Sequence, residues 1–284
     1  MPQGFDTVLV VDFGAQYAQL IARRVREAHV YSEIVPHTIT AAEIAERAPV
    51  GVILSGGPKS VHVPGAPGLD AAVYDLGTPV LGICYGAQLV ALQLGGEVAN
   101  TGKGEYGRTT LETTAPSTLL GSGSEGEGAH RPVWMSHFDS ITRAPDGFAA
   151  TARTADAPVA VLESAGRRIY GVQFHPEVGH TPGGQAVLER FLFDVCRARP
   201  TWTTTSVIEA SIDTIRAQVG GERVVCGLSG GVDSAVAAAL VSKAVGPHLT
   251  CVYVDTGLMR EGESDQVVKA FQDSQRVELV HVRA

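Results

Sequence analysis

Cys84 is the residue of this 284-residue chain whose surroundings point most clearly to covalent chemistry. It ends the apolar run PVLGIC and is followed by YGAQ, so that Gly82 and Gly86 flank it. This pattern predicts a tight strand-to-helix turn, because glycines tolerate the close backbone contacts that such a turn needs. At the N-terminus of the predicted helix the peptide dipoles favour a thiolate, which makes Cys84 a candidate nucleophile. A cysteine in an apolar strand is also consistent with a buried structural thiol.

The segment GVQFHPE supplies a histidine and a carboxylate, His175 and Glu177, far downstream of this cysteine. We expect them on the same side of a strand end, because side chains alternate along a strand, and Pro176 between them is tolerated there. Together with Cys84 they predict a triad for acyl transfer, in which a thiolate attacks a carbonyl and an oriented imidazole moves protons. A His–Glu pair on its own is also typical of a solvated surface.

The run VGVILSGGP predicts a further strand that ends in a Gly-Gly turn. The backbone N–H of Gly57 in this turn and that of Tyr85, directly after the cysteine, are candidate donors of an oxyanion hole. Gly-Gly-Pro is equally typical of an ordinary strand-to-loop turn. All three segments end strands, however, and sites in open α/β sheets collect at the carboxyl ends of strands.

In their order and separations, SGGP, GICYGAQ and GVQFHPE resemble the class I glutamine amidotransferase family. Its enzymes attack the side-chain amide of glutamine with a cysteine, release ammonia and hydrolyse a γ-glutamyl thioester. VLVVDFGAQY resembles the family's first strand, and WMSHFD resembles its glutamine-binding segment WMSHGD. The resemblance covers roughly the first two hundred residues. It implies that Cys84 is the nucleophile, His175 the acid–base and Glu177 its orienting carboxylate. It also implies four contacts to glutamine: Gln88, Ser136, His137 and Asp139.

Phe138 departs from this family pattern, which has glycine at the same place. A glycine can adopt a positive φ and bring its backbone close to a ligand, whereas phenylalanine does so only at a cost. We therefore expect Phe138 to narrow or distort the pocket around the α-amino and carboxylate groups of glutamine.

The second part of the chain contains a different motif, SGGVDS, between a predicted strand and a predicted helix. Backbone N–H groups in such a turn form an anion nest suited to phosphate, and Asp233 beside a phosphate calls for a bridging cation such as Mg²⁺. The motif resembles the pyrophosphate loop of the ATP pyrophosphatase family. That resemblance implies ATP and Mg²⁺ as cofactors and an ATP-binding loop made of Ser229, Gly230, Gly231, Val232, Asp233, Ser234 and Ala235.

The combination of the two resemblances, with the connecting TWTTTSVIE, is similar to the glutamine-hydrolysing GMP synthase family. The family aminates xanthosine monophosphate (XMP) to GMP with ATP and glutamine-derived ammonia. We expect an α/β chain with a class I glutamine amidotransferase domain, mostly parallel and doubly wound, over 1–199. The first part of an adenine-nucleotide α-hydrolase-like domain is expected over 200–284. The family's later strands and dimerisation region are absent, so we expect a truncated chain whose full-length relatives are homodimers.

Gross composition narrows the partners and the compartment. A formal net charge of −8 argues against nucleic acid or an anionic membrane as a partner. The chain opens with a predicted strand instead of a basic and apolar leader, and its four cysteines have neither disulfide nor metal spacing. These features predict a cytoplasmic protein with reduced thiols. The stretch 121–130, rich in Gly, Ser and Glu, predicts a flexible loop without chemistry.

Two other functions remain open from the sequence. The elbow alone does not name its substrate, so a cysteine hydrolase acting on peptides is one alternative. The other is a non-catalytic binding module whose pocket Phe138 closes. Failure to consume glutamine would favour the first of these, and sub-stoichiometric labelling of Cys84 by a glutamine-like electrophile would favour the second.

Overall fold

A computed structural model of the chain describes residues 4–121, 130–258, 260, 262–274 and 278–284. These residues separate into two compact units, Phe5–Trp202 and Thr203–Ala284. Most of the predicted loop 121–130 lies outside the described residues, since 122–129 are not among them. No helix in the described part of the chain has the length and apolar character needed to cross a bilayer.

Among the described residues of the first unit, nine strands form one sheet, in the order β2-β1-β3-β4-β9-β8-β7-β5-β6. The pairings from β2 to β9 are parallel, and those from β9 through β8, β7 and β5 to β6 are antiparallel. The strands are β1 Thr7–Asp12, β2 Tyr31–Pro36, β3 Gly51–Leu54, β4 Val80–Ile83, β5 Glu97–Thr113, β6 His130–Arg143, β7 Ala149–Arg153, β8 Val161–Ser164 and β9 Ile169–Val172.

Helices cover both faces of this sheet. They are α1 Ala18–Glu27, α2 Ala41–Arg47, α3 Tyr85–Gln93 and α4 Gly184–Arg190, with a 3₁₀ turn at Ala71–Asp75 and a π-helical turn at Phe191–Val195. Strand β1 shows why two cores form, because its side chains alternate between the faces. Val8 and Val10 pack with residues of α1 and α4, whereas Leu9 and Val11 pack with residues of α2 and α3.

The second unit has a smaller parallel sheet in the order β10-β11-β12. Its strands are β10 Val224–Leu228, β11 Leu249–Asp255 and β12 Glu278–Arg283, and its helices are α5 Thr204–Val219, α6 Val232–Val245 and α7 Glu263–Ser274. Thr203 caps α5, because its hydroxyl accepts from the N–H of Ser206 and the Ser206 hydroxyl accepts in return. Leu228, Leu249 and Tyr253 are buried in this unit's core.

The predicted fold class is confirmed: an α/β sheet with helices on both faces is followed by a second α/β unit. The first sheet is mixed, however, because its parallel half continues into an antiparallel half built around the long β5–β6 hairpin. The antiparallel half bears on function, because β6 carries residues 136–139 beside the cysteine.

Candidate active site

Cys84 lies in a strained turn between β4 and α3. Its φ is 53° and its ψ is −104°, a left-handed backbone conformation that is uncommon for a residue with a side chain. A Cβ atom at Gly82 would lie 2.6 Å from the backbone nitrogen of Ala87, and one at Gly86 would lie 2.4 Å from the carbonyl oxygen of Leu54. Both positions therefore require glycine, and the close packing of α3 on the strands holds the cysteine in the turn.

The thiol of Cys84 is nearly buried and faces a strand of the antiparallel half-sheet. Its Sγ donates a long hydrogen bond of 3.7 Å to the carbonyl oxygen of Ser136 on β6. The backbone N–H of Cys84 donates to Val172 at the end of β9, at 2.7 Å. The candidate nucleophile is thus hydrogen-bonded both to β6, which carries residues 136–139, and to the end of β9, which precedes His175.

His175 and Glu177 form a buried pair with Nδ1 2.7 Å from Oε1. The expectation that strand alternation places them together is wrong, because β9 ends at Val172 and both residues lie in the turn that follows. The turn is held from outside: the Thr181 hydroxyl donates to the His175 carbonyl at 2.7 Å. Arg24 Nε donates to the Glu177 carbonyl at 2.9 Å. Tertiary hydrogen bonds, and not the strand's own period, therefore set the geometry of the pair.

The protonation of His175 depends on both of its acidic neighbours. Burial by itself lowers the pKa of His175, but hydrogen bonds and charge interactions with Cys84 and Glu177 outweigh burial and raise it to about 10. The contacts with Cys84 and Glu177 therefore favour the protonated imidazole. This form suits an acid–base group that must deliver a proton to a leaving amine.

Gly57 and Tyr85, which carry the two predicted oxyanion donors, pack against each other. A Cβ at Gly57 would come within 2.7 Å of the Tyr85 ring, so the turn after β3 must have glycine there. The N–H of Tyr85 belongs to the first turn of α3, whose N–H groups have no acceptor within their own helix. Both residues line the same pocket as Cys84.

The pocket beside Cys84 has a volume of about 580 Å³ and also includes the four predicted glutamine contacts. Gln88 Nε2 donates to the carbonyl oxygen of Asp139 at 2.6 Å, which links α3 to β6. His137 is buried, and its Nε2 lies 3.3 Å from Glu105 Oε2, out of line for a hydrogen bond. The residues that line the pocket are Gly57, Pro58, Lys59, Ser60, His62, Cys84, Tyr85, Gln88, Asn100, Tyr106, Ser136, His137, Phe138 and Asp139.

Sequence reasoning missed one wall of this pocket. Lys59, Ser60 and His62 follow the SGGP turn directly, so their proximity to that turn was a signal that could have been used. Asn100 and Tyr106 carry no local signal, because only the pairing of β5 with β6 brings them beside residues 136–139. The pairing is irregular between Asn100 and Glu105, so that β5 loses register opposite Phe138.

Phe138 does not close the pocket. Its side chain is 47% exposed at the edge of the open cavity. It is not among the residues with a positive φ, so the backbone at this position does not use the freedom that glycine would offer. The expected backbone distortion is therefore not observed. What remains of the expectation is the bulk of the phenyl ring at the rim.

In the second unit, the SGGVDS motif forms a turn at the N-terminus of α6. The Ser229 and Ser234 hydroxyls lie 3.1 Å apart, and the Ser229 N–H donates to Ser234 Oγ at 3.2 Å. Gly230 has a φ of 80°, a conformation that favours glycine. Val232, Asp233 and Ala235 follow in the first turn of the 14-residue helix, after its N-cap Gly231. Residues 229–233 of this loop are exposed to solvent.

The donor set around this loop suits a nucleotide phosphate better than a bare metal ion. Within the described residues there is no cluster of three or more His, Cys, Asp or Glu that could hold a metal. Asp233 supplies one exposed carboxylate in the first turn of α6. Mg²⁺ commonly binds one or two carboxylates together with substrate phosphates and water. The loop therefore fits a metal that arrives with a phosphate ligand.

Comparison with known proteins identifies the class. The family model "Glutamine amidotransferase class-I" matches residues 9–195, the part of the chain that contains the cysteine pocket. The chain belongs to the class-I glutamine amidotransferase family, as its motifs predicted. The family model "NAD synthase" matches residues 204–279, which include the SGGVDS loop.

Individual relatives of this chain have more specific names than the family models. The "GMP synthase [glutamine-hydrolyzing]" of Thermobifida fusca is 57% identical over 267 residues, which are 94% of this chain and 50% of that protein. The protein of the same name from Symbiobacterium thermophilum is 55% identical over 285 residues, 100% of this chain and 55% of its own length. This chain thus spans about half the length of the curated relatives it matches. The crystal structure of a "putative gmp synthase subunit a protein" from Thermoplasma acidophilum is 31% identical, with a TM-score of 0.59, covering 69% of this chain and 96% of that one.

Proposed function

We propose that this chain hydrolyses glutamine at Cys84, His175 and Glu177 and supplies the ammonia to an ATP-dependent amination of XMP to GMP. The observation that carries the glutaminase assignment is the buried His175–Glu177 pair beside a cysteine held in a strained elbow at an open pocket. The second half of the proposal rests on the SGGVDS loop and on the named relatives.

The chemistry proceeds in two acyl transfers. Cys84 Sγ attacks the γ-carboxamide carbon of glutamine, and the resulting oxyanion accepts hydrogen bonds from the N–H groups of Gly57 and Tyr85. Protonated His175 gives its proton to the nitrogen, the C–N bond breaks and ammonia leaves. Neutral His175 then takes a proton from water, whose oxygen attacks the γ-glutamyl thioester. The C–S bond breaks, glutamate leaves and the Cys84 thiolate is restored.

Glu177 keeps the imidazole ring in place through this cycle. Its Oε1 holds His175 Nδ1, which leaves the other ring nitrogen for the thiol and the leaving group. Gln88, Ser136, His137 and Asp139 would contact the substrate from α3 and β6. The short Gln88–Asp139 hydrogen bond supports this role, because it fixes the two walls relative to each other.

The loop Ser229–Ala235 would hold the pyrophosphate part of ATP, with Asp233 sharing Mg²⁺ with the phosphates. ATP would transfer its AMP group to the 2-oxo oxygen of XMP with release of pyrophosphate, and ammonia would then displace AMP. In keeping with this assignment we propose a cytoplasmic enzyme that acts on small molecules and not on nucleic acid. We further propose that the whole protein is a homodimer.

Release of ammonia and glutamate from glutamine by the purified chain tests the glutaminase assignment. We expect release by the wild type and by Cys226→Ala, a matched control that removes a partly buried cysteine of the second unit. We expect no release by Cys84→Ala. If wild type and Cys84→Ala release ammonia equally, the assignment is wrong. If Cys84 reacts with iodoacetamide but glutamine is not consumed, the cysteine acts on another substrate.

A further inference from the structure

The pocket beside Cys84 contains the ammonium group of Lys59, which has no partner in the part of the chain that the structure describes. Lys59 lines the pocket, is exposed and makes neither an ion pair nor a hydrogen bond with any described residue. Lys103 in the same unit, by contrast, forms an ion pair, because its Nζ lies 3.5 Å from Asp156 Oδ1. A free cation at the wall of an active-site pocket is available to a negatively charged ligand.

The same pocket also has a carboxylate, that of Asp139. Asp139 is 8% exposed, and its carbonyl oxygen accepts from Gln88. Its carboxylate forms no ion pair or hydrogen bond with the described residues. Because a nearly buried carboxylate without a cation is costly, the position favours a ligand that brings a positive group.

These two charges line the same pocket as Cys84 but belong to different parts of the chain. Lys59 comes two residues after Gly57, in the turn that follows β3, and Asp139 comes three residues after Ser136, whose carbonyl accepts from Cys84 Sγ. A free amino acid such as glutamine carries an α-carboxylate and an α-ammonium at the end opposite its reactive amide. The pocket therefore offers one unpaired group of the right sign for each of them.

We propose that Lys59 binds the α-carboxylate of glutamine, opposite Asp139 at the α-ammonium, and that it selects free glutamine over glutamine whose carboxylate is blocked. This assignment rests on the proposed function for the identity of the ligand. Lys59 is a specificity-determining residue in it, because it touches the substrate far from the bond that breaks.

The test compares three variants on two ligands. Lys59→Gln removes the charge at similar length, Lys59→Arg keeps the charge, and Lys103→Gln is a matched control on a lysine outside the pocket. For L-glutamine we expect Lys59→Gln to raise KM about tenfold with kcat within about twofold, because one charge-assisted hydrogen bond is lost at the rim. For the α-amide of glutamine, which lacks the negative charge, we expect the same KM in all four proteins. Lys59→Arg should restore most of the discrimination.

Calorimetric binding of both ligands in the Cys84→Ala background gives a readout that does not need turnover. If glutamine binds but the unmodified chain releases no ammonia, the proposed function is wrong. The role of Lys59 is still tested in that case, by comparing the Kd values of the two ligands. If Lys59→Gln weakens the binding of both ligands equally, the carboxylate assignment is wrong, because a general distortion of the pocket affects both ligands. Absence of glutamine binding to the chain would overturn it as well.

Discussion

Glu177 is completely buried, and its two carboxylate oxygens differ: Oε1 lies 2.7 Å from His175 Nδ1, while Oε2 has no hydrogen-bond partner among the described residues. The negative charge of Glu177 is therefore balanced mainly by the imidazole, in a place that water does not reach. This asymmetry makes the pair sensitive to changes on either side. Removing one partner of a buried ion pair destabilises the fold by more than the pair itself contributed, because the remaining charge is buried without compensation.

Glu177→Gln keeps the shape of the side chain and removes its charge. An amide can hold the imidazole in the wrong tautomer and no longer stabilises its protonated form, so we expect kcat for glutamine hydrolysis to fall by about 10²–10⁴-fold. KM should change little, because Glu177 lies behind His175 and does not line the substrate pocket. Steady-state ammonia release measures both constants. Glu46→Gln, an exposed position on α2, is the control; a similar loss there, or a pure KM effect at 177, would contradict the positioning role.

The stability of the fold should depend on pH through His175. Its pKa is raised from 6.5 to about 10 in the folded chain. Because the folded state holds this proton more tightly, the resulting stabilisation is fully present below a pH of about 6.5 and is lost as the pH rises through about 10. Urea midpoints measured across this interval should fall more steeply in the wild type than in His175→Gln. Parallel pH profiles for the two proteins would show that His175 titrates normally.

Gly86→Ala should destabilise the first unit. Alanine is worth about 1 kcal/mol more than glycine inside a helix, but the added Cβ would sit 2.4 Å from a backbone oxygen of Leu54, which cannot swing aside. We therefore expect a net loss of about 1–3 kcal/mol and slower alkylation of Cys84, since α3 must shift away from β3. Gly166→Ala is the matched control, because a Cβ there meets nothing within 4 Å. Equal urea midpoints for the two variants would mean that the elbow is not closely packed.

The elbow and the turn after β3 could be predicted from the sequence because their signals are local: glycines on both sides of Cys84 and after Ser55 mark close backbone contacts. The His175–Glu177 pair was identified, but for the wrong reason, since its geometry comes from Thr181 and Arg24. The wall formed by Asn100 and Tyr106 was not predictable. It depends on how a 17-residue strand pairs with β6 and where that pairing loses register, which no short segment encodes.

Phe138 could affect glutamine binding through its ring or through its backbone. Because its backbone does not lie in the left-handed region, any effect on glutamine binding should come from the ring. Phe138→Ala and Phe138→Gly should then lower KM for glutamine to the same extent, by about two- to fivefold if the ring obstructs the rim at a cost below 1 kcal/mol. A lower KM for glutamine in Phe138→Gly but not in Phe138→Ala would restore the backbone explanation. Unchanged KM values in both variants would show that the ring does not obstruct the substrate.

Ser234 holds together the SGGVDS loop, the proposed phosphate site. Its hydroxyl accepts from the Ser229 N–H at 3.2 Å and donates to the Gly231 carbonyl at 3.1 Å, so it ties the start of α6 back onto the end of β10. Without this tie the turn between β10 and α6 is free to change shape, and the anion site proposed there changes with it. We expect Ser234→Ala to weaken the binding of magnesium pyrophosphate, the probe for this loop, by about tenfold, in line with the loss of one or two hydrogen bonds near a charged ligand.

Isothermal titration with pyrophosphate, with and without Mg²⁺, measures this effect. The control is Ser242→Ala, in the last turn of the same helix and therefore far from its N-terminus. If the loop binds phosphate through α6, only the change at 234 should matter. Asp233→Asn should then abolish the dependence on Mg²⁺ and spare the weaker metal-free binding. Equal affinities for all four proteins would place phosphate elsewhere and would remove the argument for ATP at this loop.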